Sequence, residues 1–126
     1  MANSAGYHEA EDKLSDDVKD NHRALTSMQE ELEAVDWYDQ RVAAATNPEL
    51  KEILAHNRDE EKEHFVMLLE WYQRRDAKMS SELKDRLFTS GSIVAQEQAE
   101  KGAGGGEAAS GNGSLGIGSL KGGQGL

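Results

Sequence analysis

Glu61 and His64 stand three residues apart in a stretch where Leu50, Leu54, Leu68 and Trp71 recur at helical spacing. Both fall on the same stripe as those apolar residues, the face that should meet other protein. Burying a carboxylate beside an imidazole costs roughly several kcal/mol unless something compensates. Glu31 repeats the pattern among Ala24, Met28, Val35, Tyr38 and Val42. One inward Glu on a first helix and one Glu-x-x-His on a second is half of the ligand set of di-iron carboxylate bundles. Two copies related by a twofold axis would supply the whole set, enough for two metal ions at their interface. Carboxylate oxygens with one His per metal suit Fe(II), Mn(II) or, less selectively, Zn(II). Two adjacent irons with open positions would each give one electron to dioxygen, a ferroxidase reaction. Glu61 then reads as the bridge and Glu31 and His64 as terminal ligands. Tyr38, one helical turn beyond Val35, could hydrogen-bond a ligand or quench an oxidising equivalent.

Glu-x-x-His alone also arises on solvated, ion-pairing helix faces, so its place on the apolar stripe carries the metal reading. Trp37 and Tyr38 equally suit aromatic packing at a subunit interface. His8, His22 and His56 have no partners at ligand spacing and read as exposed or packing residues. Glu30, Glu33 and Asp36 around Glu31 read as a solvated face. With two copies facing each other, Glu30 and Glu33 would instead form a cation-attracting mouth.

The elements that must hold these residues are helices. No proline occurs before Pro48, and Gly6 is the only glycine before Gly91. Leu14, Val18, Asn21, Leu25, Met28, Leu32, Val35, Asp39 and Val42 alternate spacings of four and three, a coiled-coil-like stripe. The pattern predicts a first helix over about 12–45, roughly 50 Å long at ~1.5 Å per residue. Asn47 as N-cap and Pro48 at the first helical position then start a second helix, reaching about Asp76. So short a connection makes the two antiparallel neighbours. Ser80 or Ser81 is expected to cap a short third helix through Phe88, and residues 93–101 to form a weak turn or nothing ordered. The predicted fold is all-α: a two-helix hairpin plus a short C-terminal helix, dimerising into a four-helix bundle, with a disordered tail.

Composition leads to the same dimer. Only 22 of 126 residues are Leu, Ile, Val or Phe, and the formal charge is -10. Such a chain buries little by itself and completes its core against another copy. At a pI near 4.8 it lacks the basic face that nucleic acid requires. It has no cysteine, hence no disulfide or thiolate site. Residues 1–6 show no leader pattern and no stretch reaches membrane-spanning length, so a cytoplasmic product without membrane association is expected. Eleven of the 13 glycines lie beyond residue 101. The expected organisation is a flexible 1–11, a helical hairpin domain over 12–101, a Gly/Ser-rich linker over 102–113 and a distinct segment over 114–126. In that last segment Leu115, Ile117 and Leu120 cluster within a tether that otherwise avoids large apolar residues. This reads as a peptide that docks in a groove on another protein.

Two blocks make a family resemblance specific. Glu30-Glu31-Leu32-Glu33-Ala34-Val35-Asp36-Trp37-Tyr38-Asp39-Gln40-Arg41 and His56-Asn57-Arg58-Asp59-Glu60-Glu61-Lys62-Glu63-His64 closely resemble the encapsulated ferritins of bacteria. Leu115–Lys121 resembles the peptide that loads such cargo into an encapsulin shell. The resemblance implies a ferritin-like ring of five dimers with a di-iron ferroxidase centre between two subunits. On matching positions Glu31, Glu61 and His64 would be its ligands, with Tyr38 beside it. Glu30, Glu33 and Trp37 would form an outer site through which metal enters. The implied protein oxidises Fe(II) inside the lumen of the encapsulin compartment, and the shell stores the product. A non-enzymatic acidic scaffold or cation buffer, and a rubrerythrin-like peroxidase, are compatible with the same spacing.

Overall fold

The computed structural model describes residues 6–104, and these contain four α-helices and one 3-10 turn with no strand. The chain divides into two compact units, Met1–Arg75 and Asp76–Leu126. The expected loading segment, most of the Gly/Ser linker and the first five residues lie outside the described residues.

In the first unit a 3-10 turn over Glu11–Lys13 precedes α1, Asp16–Ala44. The helix begins later than the predicted residue 12. Ser15, in extended conformation, accepts a hydrogen bond from Val18 N at 3.2 Å, with Asp16 and Asp17 in the first turn. A side-chain cap and two acids at the positive end of the helix dipole outweigh the apolar register that runs on through Leu14. Ahead of the turn, the Tyr7 ring lies 4.9 Å from the His22 ring.

Three residues separate α1 from α2, Pro48–Gln73. Asn47 Oδ1 accepts from Leu50 N at 2.9 Å and Pro48 occupies the first turn, as the sequence predicts. The two helices pack on each other, and residues late in α2 meet residues earlier in α1, which makes the hairpin antiparallel. Among the described residues only Ala24 and Met28 are buried. Val18, Leu25 and Leu32 on α1 and Leu50, Ile53, Val66 and Met67 on α2 remain exposed. A hairpin covers one side of each helix, and the apolar stripes here are wider than that contact.

The second unit holds α3, Ala77–Arg86, and α4, Ile93–Gly104. Asp76, not Ser80 or Ser81, caps α3, its carboxylate accepting from Met79 N at 2.7 Å. Both serines lie inside the helix, and the helix ends before the predicted Phe88. Leu87 is extended and Phe88 takes φ 60, a left-handed conformation rare for a bulky residue. Gly91 adopts φ 86, which a glycine accommodates without strain. Where the sequence predicts a weak turn or nothing ordered over 93–101, a helix of 12 residues forms, started by Ser92 Oγ accepting from Ala95 N at 3.1 Å. Arg86 on α3 ion-pairs with Glu100 on α4 and lies 3.5 Å from Glu82. No helix among the described residues is long and apolar enough to cross a membrane.

Candidate metal centre

The hairpin brings Glu31 of α1 against Glu61 and His64 of α2. One ligand atom from each lies within 4.8 Å of the others, and this is the only such group of three among the described residues. The α2 pair meets because residues three apart share a helix face. Glu31 joins it only through the antiparallel pairing of α1 with α2. His64 Nδ1 lies 3.2 Å from Glu61 Oε1 and 3.6 Å from Glu31 Oε1. The two carboxylates keep about a quarter of their side-chain surface exposed and His64 about 45%.

Hydrogen bonding and charge within the group shift all three side chains from their usual pKa values. The Glu31 carboxyl donates to Glu61; that hydrogen bond, then burial, then the Glu61 charge hold Glu31 above its usual 4.5, against the pull of His64. Accepting from Glu31, and then from His64, keeps Glu61 below 4.5 despite some desolvation. The hydrogen bond to Glu61 and the surrounding acids Glu31, Glu61 and Glu60 raise His64 above 6.5, opposed by desolvation. These opposed shifts offset the repulsion between the two carboxyls. A divalent cation would compete with protons at Glu31 and His64, the two groups whose pKa is raised. Two carboxylate oxygens and an imidazole nitrogen fit a first-row divalent metal such as Fe(II), Mn(II) or Zn(II). A single hairpin supplies only three such residues. Beside them an open groove of about 720 Å³ runs between α1 and α2, lined by Glu31, His64, Arg23, Met67, Leu68 and Trp71.

The other predicted site residues stay outside this group. Tyr38 is half-buried, and the Arg41 guanidinium lies 5.3 Å above its ring. Trp37 is exposed and, with Gln40 and Arg41, lines a shallow hollow of about 330 Å³. Glu30 is exposed and Glu33 half-buried. Two further residues make contacts that sequence reasoning did not single out. Glu60 lies 3.8 Å from His64 Nε2 and 3.6 Å from His56 Nε2. Arg58 crosses to α1 and donates to Asp39 at 3.0 Å. The four-residue spacing of His56, Glu60 and His64 was the available signal for the first. For the second there was none, since nothing local pairs Arg58 with Asp39.

Known proteins share this chain's sequence and fold. A family model described as EncFtn-like matches residues 6–90. The chain is 56% identical over 130 residues to the encapsulated ferritin-like protein of Rhodospirillum rubrum, covering 97% of this chain and 93% of that one. It is 44% identical over 96 residues to the ferritin-like protein of Thermotoga maritima, covering 76% of this chain and 84% of that one. A crystal structure of a protein from Nitrosomonas europaea superposes with a TM-score of 0.68 at 60% identity, covering 71% of this chain and 98% of that one.

Proposed function

This chain belongs to the EncFtn-like family of encapsulated ferritin-like proteins, and from that premise we propose that it is a ferroxidase carried inside an encapsulin shell. The observation that carries the reading is the convergence of Glu31, Glu61 and His64 from two helices into one partly exposed group. Fe(II) is the substrate: each ion gives up one electron to become Fe(III), and dioxygen is the acceptor.

A second copy completes the site. The hairpin buries two residues and leaves apolar side chains of both helices uncovered, so a like surface is the fitting cover. Facing copies would place four carboxylates and two imidazoles along one seam, holding two metal ions. Any proton held by Glu31 or His64 would leave on cation binding, and the four carboxylates would neutralise the cations instead of repelling one another. Excluding bulk water from the seam strengthens each of those attractions. Assembly is thereby coupled to metal, and five such dimers closing into a ring is the family's expected decamer. Glu30, Glu33 and Trp37 serve as the outer approach for the cation, drawn in by a chain of charge -10. Tyr38, on the same stripe of α1 as Glu31, would hydrogen-bond a ligand or quench an oxidising equivalent. Leu115–Lys121, tethered by glycine and serine, docks the protein to the shell.

Oxygen uptake on adding Fe(II) tests the activity. Rapid consumption in the wild type, slowed at least tenfold in both Glu61→Ala and His64→Ala, is expected. Iron binding without oxygen consumption would make the protein a cation buffer, and peroxide turnover in place of oxygen would make it a peroxidase. Native mass spectrometry should show larger assemblies with Fe(II) than in chelator. Removing residues 115–126 should abolish packaging into a co-expressed shell and leave the oxidase rate unchanged.

A further inference from the structure

The two ring nitrogens of His64 face different carboxylates. Nδ1 lies among the triad, near Glu61 and Glu31, whereas Nε2 lies 3.8 Å from Glu60 Oε1. The other oxygen of Glu60 lies 3.6 Å from His56 Nε2. An imidazole that binds a metal through one nitrogen carries its proton on the other, and the acceptor of that N–H sets the ring's orientation and basicity. With Nδ1 as the nitrogen inside the carboxylate group, the proton belongs on Nε2. Glu60 is the carboxylate that faces it.

We propose that Glu60 is a positioning residue of the metal centre: it accepts the Nε2–H of His64, aims Nδ1 at Glu31 and Glu61, and is itself steadied by His56. This inference rests on the reading of Glu31, Glu61 and His64 as metal ligands. Both ring nitrogens of His64 face acids, and the 3.8 Å to Glu60 is longer than a hydrogen bond. Once a cation displaces the Nδ1 proton, Glu60 holds the remaining partner, and a short side-chain movement closes the gap. Glu60 and His64 are each about half exposed and His56 about 70%, so nothing packed opposes that movement. The His56–Glu60–His64 row follows the four-residue repeat of α2, which keeps the three side chains on one face.

Zn(II), a redox-inert probe, separates orientation from simple loss of charge. Titration calorimetry on the full chain should show Glu60→Ala weakening Zn(II) binding by about tenfold or more. Glu60→Gln, whose amide oxygen still accepts, should recover most of that loss. Glu63→Ala, which removes the same charge from the same helix, should stay within about twofold of wild type. In long-range 1H–15N spectra of the Zn(II)-loaded protein, the His64 Nε2–H should exchange slowly in wild type and Glu60→Gln and rapidly in Glu60→Ala. Wild-type affinity with a slow Nε2–H in Glu60→Ala, or an equal loss in Glu63→Ala, overturns the role of Glu60 and leaves the triad standing. A wild-type chain that does not bind Zn(II) overturns the triad and Glu60 together.

Discussion

Arg58 of α2 donates from Nη1 to Asp39 of α1 at 3.0 Å, while its Nε donates to Asp59 at 3.1 Å. The neighbouring Asp59 braces the guanidinium, and Asp39 receives its far edge across the hairpin. Asp39 lies about two turns beyond Glu31 on α1, and Arg58 about one turn before Glu61 on α2. The pair therefore clamps the two helices near the candidate metal centre, at the register that sets Glu31 opposite Glu61 and His64.

Arg58→Ala should lower Tm by only about 2–4 °C, since exposed ion pairs contribute little. Zn(II) affinity should fall further, by several-fold, because Glu31 loses its fixed offset. Scanning calorimetry and Zn(II) titration of one preparation check this. Unchanged affinity would mean that side-chain packing alone sets the register.

Glu31→Gln should stabilise the metal-free chain above neutral pH. Glu31 is held above its usual 4.5 chiefly by its hydrogen bond to Glu61, then by burial and the Glu61 charge. A raised acid resists ionisation in the folded state, so its contribution is lost as pH rises through the raised value. Glutamine still donates to Glu61 and never ionises. Thermal melts at pH 8 should favour the variant in chelator and the wild type in Zn(II).

Proton release should accompany metal binding. His64, raised above 6.5 first by its hydrogen bond to Glu61, adds stability that is present below 6.5 and lost as pH climbs through the raised value. Glu61, lowered from 4.5 first by its hydrogen bond from Glu31, adds stability present above 4.5 and lost as pH falls through the depressed value. The two contributions overlap between about 4.5 and 6.5, where the metal-free group is best satisfied. Cation affinity must therefore rise with pH across and above that window. Zn(II) calorimetry at pH 6.5 in buffers of different ionisation heat should report net proton release on binding; release near zero would remove His64 from the ligand set.

Phe88 combines φ 60 with a side chain that is 91% exposed. Phe88→Gly relieves the left-handed backbone and gives up almost no buried surface, so it should stabilise the α3–α4 unit by up to about 1 kcal/mol. Chemical denaturation of the metal-free chain reads the change. A loss of stability would show that the ring is covered in solution.

Local signals determined a large share of this molecule. The family resemblance of residues 30–41 and 56–64 agrees with the EncFtn-like match over 6–90. The all-α class and the start of α2 at Asn47-Pro48 follow from apolar spacing and cap chemistry, which act within one or two turns. Where two local signals competed, the nearer hydrogen bond won. Ser15 starts α1 against an apolar register that extends further upstream, and Asp76 starts α3 although it follows Arg74-Arg75 in what reads as a continuing helix. Ser92 likewise starts α4 in a stretch that reads as no more than a weak turn.

Only the tertiary structure decided how far each partner lies from the next. A sequence specifies that Glu61 and His64 share a face, because the helical repeat is set by the backbone. It does not specify which residue of α1 lies opposite, because that depends on the loop, the packing of Met28 and Ala24, and the Arg58–Asp39 contact acting together. Those interactions bring Glu31 to His64 and leave Glu30 outside the group, although the two are neighbours in the chain.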